Sequence, residues 1–168
     1  MGNIFRHSGI NIGGLNLVSW IFRDDVAAFA FSDISLYCTV TPKPGKSWNS
    51  LYGTPETIQL ESEQQDSPAG AKYLYKLKML VPKDRAPVES ELFRMTGRCL
   101  IIKLTDKNGT VRILGTLESP MKLTSKLLKP AVLEAFNGYE LYFAGEFSKP
   151  AGFQLESTNG IPEGETED

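Results

Sequence analysis

Hydrophobic and polar residues alternate with a period of two along much of this chain, the spacing of strands rather than helices. The clearest stretch is 99–115. There Leu100, Ile102 and Leu104 alternate with Ile101, Lys103 and Thr105, and beyond a turn Val111 and Ile113 alternate with Arg112 and Leu114. Asp106-Lys107-Asn108-Gly109 joins the two runs into a β-hairpin. Asp accepts a hydrogen bond from the backbone ahead of it, Lys and Asn take right-handed turn positions, and Gly takes the left-handed residue that closes a bulge.

Further strands are predicted at 17–22, at 34–41 (bounded by Pro42 and Pro44), at 56–64, at 71–81, at 121–124 and at 138–146. The alternation is strictest in 71–81. Tyr73, Tyr75, Leu77, Met79 and Val81 share one face, and Lys76 and Lys78 take the other. Residues 26–31 read as a bend or a short extended piece, and Phe153 and Leu155 add an edge. The segment 87–95 suits a short helix: Pro87 fits a first helical position, acids come early, Arg94 comes late and Gly97 ends it. Glycine and proline make 43–54 a loop and 65–70 a turn. Residues 125–137 look helical by composition, but Pro130 in their middle reduces them to a loop with at most two helical turns.

These elements predict a mostly β protein, an antiparallel β-sandwich or β-barrel with one short helix. Three regions follow. Residues 1–16 form an extended N-terminal arm, rich in Gly and Asn and studded with Ile4, Phe5, Ile10, Ile12 and Leu15. Residues 17–156 form a single β domain, and 157–168 are an acidic, polar tail.

Composition changes this picture little. At 168 residues, 41% hydrophobic and 23% charged, the chain suits one domain with a real core. A net charge of −2 and a pI near 5.5 argue against a basic nucleic-acid-binding face. No apolar run reaches the roughly 20 residues that span a bilayer. The first residues carry no signal-peptide pattern, and Arg6 stands where a myristoylation motif wants Ser or Thr. No membrane anchor is expected. Cys38 and Cys99 sit in apolar runs and read as buried free thiols.

The chemistry is sparse. His7 is the single histidine, so histidine metal clusters and Ser-His-Asp triads fail at the first count. Glu89 and Glu91 lie two apart on a helix and do not face each other. Gly13-Gly14 follows no strand and opens no helix, so it supports no phosphate loop. Lys76 and Lys78 point away from Tyr73 and Tyr75, which reads as a solvated face rather than a stacking platform. Trp48 and Tyr52, in a Gly- and Pro-rich loop, either pack that loop down or offer a surface for a sugar ring. No catalytic, cofactor-binding or metal-ligating residues are assigned, and the chain is not expected to be an enzyme.

The motif order is Leu17-Val18-Ser19-Trp20-Ile21 after a Gly-rich start, then Gly70-Ala71-Lys72-Tyr73-Leu74-Tyr75 with Pro82. Leu104-Thr105-Asp106-Lys107-Asn108-Gly109 runs on to Leu114-Gly115. Asn137-Gly138-Tyr139-Glu140-Leu141-Tyr142-Phe143-Ala144-Gly145 and Pro150-Ala151-Gly152-Phe153 close the series. This order resembles small β-rich tail and neck structural proteins of phages and prophages of gut Bacteroidetes, over most of residues 10–155. The resemblance implies a virion component made in the host cytoplasm, a tail-tube or related ring-forming protein. It would assemble as a homo-oligomer beside other tail or neck proteins and pass DNA without binding it specifically. A head–tail connector or tail terminator is the alternative within that class, and a carbohydrate-binding β-sandwich is the alternative outside it. The residues expected to meet neighbouring copies are Ile4, Phe5, Ile10, Ile12 and Leu15 of the arm, Trp48 and Tyr52, and Leu127 and Leu128. Deleting residues 1–14 is expected to leave the domain folded and to stop assembly. Circular dichroism and negative-stain microscopy check this, and normal rings from the truncated chain would refute the arm's role.

Overall fold

The computed structural model of the protein describes residues 13–154. In chain order its elements begin with β1 (Leu15–Phe22), β2 (Val26–Phe31), β3 (Cys38–Pro42) and β4 (Asn49–Leu51). Then come β5 (Gln59–Ser67), β6 (Gly70–Pro82), helix α1 (Ala86–Met95), β7 (Leu100–Asp106) and β8 (Val111–Leu114). The last are β9 (Lys122–Leu128), β10 (Gly138–Phe147) and β11 (Gly152–Phe153). The strands form a five-stranded sheet of order β11-β8-β7-β1-β4, a four-stranded sheet of order β5-β6-β10-β9, and the hairpin β2-β3. Every strand pair in them is antiparallel.

The turn chemistry of the β7–β8 hairpin is as the sequence predicts. Asp106 Oδ1 accepts the backbone N–H groups of Asn108 and Thr110, both at 2.8 Å, and Gly109 takes φ +83°. From this hairpin the five-stranded sheet widens by pairing β1 with β7, Trp20 opposite Ile102 and Phe22 opposite Leu100. One face of that sheet lies on the four-stranded sheet. Trp20, Leu100, Ile102 and Leu104 meet Leu77, Met79, Leu141 and Phe143 in one buried cluster, closed at one end by Leu92 and Met95 of α1. The opposite face is also covered. Ile21, Ile101 and Ile113 pack there against Val26, Cys38 and Val40 of the β2-β3 hairpin. The chain crosses between the two larger sheets at Met121, whose backbone exchanges hydrogen bonds of 2.8 and 2.9 Å with Leu100 before β9 joins the other sheet. Gly115, at φ +97°, lets this corner close: a Cβ there would stand 3.1 Å from the Leu100 carbonyl oxygen.

The layout is sandwich-like. The barrel alternative is not formed, because each sheet ends on strands that do not meet: β11 and β4 in one, β5 and β9 in the other. Other expectations shift for local reasons. The predicted strand at 34–41 shortens to Cys38–Pro42, because a turn at Ser32–Tyr37 puts Leu36 at φ +59° and leaves Ile34 in solvent. The piece at 26–31 is a full strand, paired with β3. The loop at 43–54 contains β4, hydrogen-bonded to the edge of β1. The predicted helical loop at 125–137 begins instead as strand, since β9 pairs with β10 through Leu128 opposite Gly138. Leu15 and Asn16, assigned to the arm, belong to β1. Phe153 forms an edge opposite Arg112, and Leu155 lies outside the described residues.

Because Ile102 is wholly buried between the two sheets, Ile102→Ala is expected to cost about 2–5 kcal/mol in urea unfolding. Phe93, on the solvent side of α1, is expected to change stability by less than ~0.5 kcal/mol when replaced by alanine.

Candidate functional site

The residues expected to meet other copies are dispersed. Ile4, Phe5, Ile10 and Ile12 lie outside the described residues, as does His7. Leu15 is half-buried and packs on the main core of its own chain. Trp48 is half-buried against the Ile21–Val40 cluster, and the Lys103 ammonium sits 4.8 Å from its ring centroid. Burial holds that lysine below its usual pKa. Tyr52 is 65% exposed. Both aromatics border one open depression of about 510 Å³ between α1 and the β4 segment, together with Trp20, Val88, Glu91 and Arg94. The Arg94 guanidinium stands 5.5 Å from the Trp20 ring centroid and bonds Glu91 at 3.0 Å, so the rim is cationic and acidic in alternation. A smaller cavity of about 250 Å³ lies at the other end, lined by Phe29, Phe31, Leu117, Phe147 and Lys149 among others.

A polar knot fixes the chain where β6, α1 and β10 converge. Tyr139 Oη donates to Asp84 Oδ1 at 2.6 Å, and the Lys129 ammonium bonds Asp84 Oδ2. Lys129 and the Tyr139 hydroxyl together hold the Asp84 carboxyl below its ordinary value. The Asp84 and Glu89 carboxylates in turn push the Tyr139 phenol above its own. The knot ties the segment after β9 to the start of α1. It is a clamp, and the sequence showed no local pattern for it because its members lie far apart in the chain.

The two outer strands of the four-stranded sheet are a different kind of surface. Strand β5 is nine residues long and β9 seven, and neither has a further strand partner among the described residues. Glu61 to Asp66 are exposed on both faces of β5. On the solvent face the inner strands pair their own charges, Lys78 with Glu140 and Lys72 with Glu146, each at 2.8 Å. Glu140 thereby holds Lys78 above its usual pKa, while Lys78 holds Glu140 below its own. The outermost positions are left with one sign each: Glu61 and Glu63 on β5, Lys122 and Lys126 on β9. Among the described residues none of these four forms an ion pair. Leu127 at the β9 edge is 46% exposed, and Leu128 beside it is half-buried. Val132 and Leu133, in the chain leaving β9, also face solvent.

No group of three or more His, Cys, Asp or Glu among the described residues is placed to hold a metal ion. No described helix is long and apolar enough to cross a membrane. Cys38 is buried, and that burial pushes its thiol up to about 11; Cys99 is only half-buried, contrary to expectation. No protein-family model, no curated protein and no solved structure matches the chain.

The Asp84 clamp carries a sign for acid stability. A carboxyl whose folded pKa is lowered adds stability that is fully present above the ordinary value of 3.8 and is lost as pH falls through the folded value. Asp84→Asn is therefore expected to lower the melting temperature at neutral pH and to flatten its fall below pH 3.8. Thermal melts across acid pH check this, and an unchanged acid slope would contradict it.

Proposed function

We propose that this chain is a structural subunit of a phage virion, a tail-tube or related ring-forming tail protein that joins copies of itself into a conduit for DNA. The observation that supports this reading is the pair of long outer strands on one sheet that have no further strand partner among the described residues. A bare strand edge is a row of open N–H and C=O groups, a template for another strand. The outer strands of the five-stranded sheet contrast with them, at two residues in β11 and three in β4. The virion setting comes from the order of turn and strand motifs along the chain. The small net charge of −2 suits a lumen that passes DNA without gathering its phosphates. Partners on this reading are further copies of the chain and other tail or neck proteins, and a connector or terminator ring is the neighbouring assignment.

A second reading, a carbohydrate-binding module, is favoured by one observation: Trp48 and Tyr52 border the same depression. Against it, Trp48 is held by its own core and by Lys103.

Negative-stain microscopy with mass measurement of the purified chain separates the two. Rings or tubes are expected. A strict monomer up to the solubility limit, with glycan binding lost on Tyr52→Ala, would replace the first reading by the second.

A further inference from the structure

We propose that β9 of one copy pairs antiparallel with β5 of the next, so that the four-stranded sheet continues head to tail from subunit to subunit. This deepens the self-assembly reading and rests on it. Three features of the sheet carry the inference.

The first is strand direction. The order β5-β6-β10-β9 is antiparallel at every step, so β5 and β9 run in opposite directions. A second copy in the same orientation therefore presents its β9 antiparallel to the first copy's β5, and the pattern repeats without inverting any subunit. A contact of this heterologous kind closes into a ring or extends into a filament.

The second is charge. Pairing β5 with β5 sets Glu61 and Glu63 against their own copies, and pairing β9 with β9 does the same to Lys122 and Lys126. Like charges across a strand pair are destabilising and opposite charges are favourable. Of the three possible edge pairings, only β5 with β9 brings acid to base.

The third is register. Side chains on β5 alternate between the faces, with Leu60 and Ser62 on the core side and Glu61 and Glu63 on the solvent side, as their partners Leu77, Tyr75, Lys76 and Leu74 show. On β9, Leu127 and Ser125 lie on the core side opposite Tyr139 and Leu141, and Lys126 lies on the solvent side opposite Glu140. Setting Glu61 opposite Lys126 places Leu60 opposite Leu127 and Ser62 opposite Ser125. That one alignment neutralises the charges on one face and covers the exposed Leu127 on the other. Glu63 then falls opposite Thr124, diagonal to both lysines and within their reach.

The test is cysteine cross-linking of the full chain, with the parent chain (Cys38 and Cys99 in place) as control. Ser62→Cys and Ser125→Cys are directly opposed across the proposed junction and remote from each other within a subunit. Mixing the two single variants is expected to give a disulfide-linked dimer, each variant alone none, and the double variant a ladder of multiples. Lys126→Glu is expected to lower the cross-linked yield about tenfold, and adding Glu61→Lys to restore it. Dimers from Ser62→Cys alone, or rings that form without any cross-link, would overturn this junction and leave self-assembly standing. A chain that stays monomeric by mass would remove the self-assembly reading and the junction with it.

Discussion

The fold depends on a strand that must be covered on both faces. In β7, Leu100, Ile102 and Leu104 turn to one side, and Ile101 turns to the other, with all four wholly or almost wholly buried. Covering the first side takes the four-stranded sheet and α1; covering the second takes the β2-β3 hairpin. Buried apolar area scales with stability at about 25 cal/mol per Å², so neither layer can be lost without exposing the same strand. This explains why the segment between β1 and β4 is folded back on the sheet and does not project. It also fixes Trp48, whose ring lies on the Ile21–Val40 cluster with Lys103 over it. A side chain recruited to seal the second face is poorly placed to serve a ligand or a neighbouring copy.

What the sequence disclosed was local. The β7–β8 hairpin, the faces of β6 and β10, and α1 behind Pro87 were legible because turn chemistry and a period of two or 3.6 are written in neighbouring residues. What it concealed was set by partners distant in the chain. Ser125-Lys126-Leu127-Leu128 has no strong strand preference and precedes Pro130, yet pairing with Leu141 to Gly138 makes it a strand. Context of this kind overrides propensity in sheets. Val26-Ala27-Ala28-Phe29 was equally ambiguous until β3 supplied its partner. The candidate surface shows the same division. A strand at 56–64 was legible, although it lies at Gln59–Ser67 and so takes in residues read as a turn. That β5 and β9 are the outer strands is a fact of topology, which no window of sequence contains.

That topology also explains the charge arrangement. Outer strands invite indiscriminate pairing, and charged side chains are a common means of restraining it. Here the restraint is uneven. Lys78 with Glu140 and Lys72 with Glu146 are matched inside the sheet. Lys76 of β6 stands opposite Glu61 without an ion pair among the described residues, and the margins keep one sign each, acidic on β5 and basic on β9. A surplus of one sign on both margins would keep copies apart altogether. Opposite signs on opposite margins repel like edges and admit the unlike pair, a selection made by repulsion as much as by attraction. Each exposed ion pair contributes at most about 1 kcal/mol, so charge alone does not hold such a junction. The backbone ladder along seven to nine residues and the covering of Leu127 must supply the affinity, while the charges decide which edge meets which.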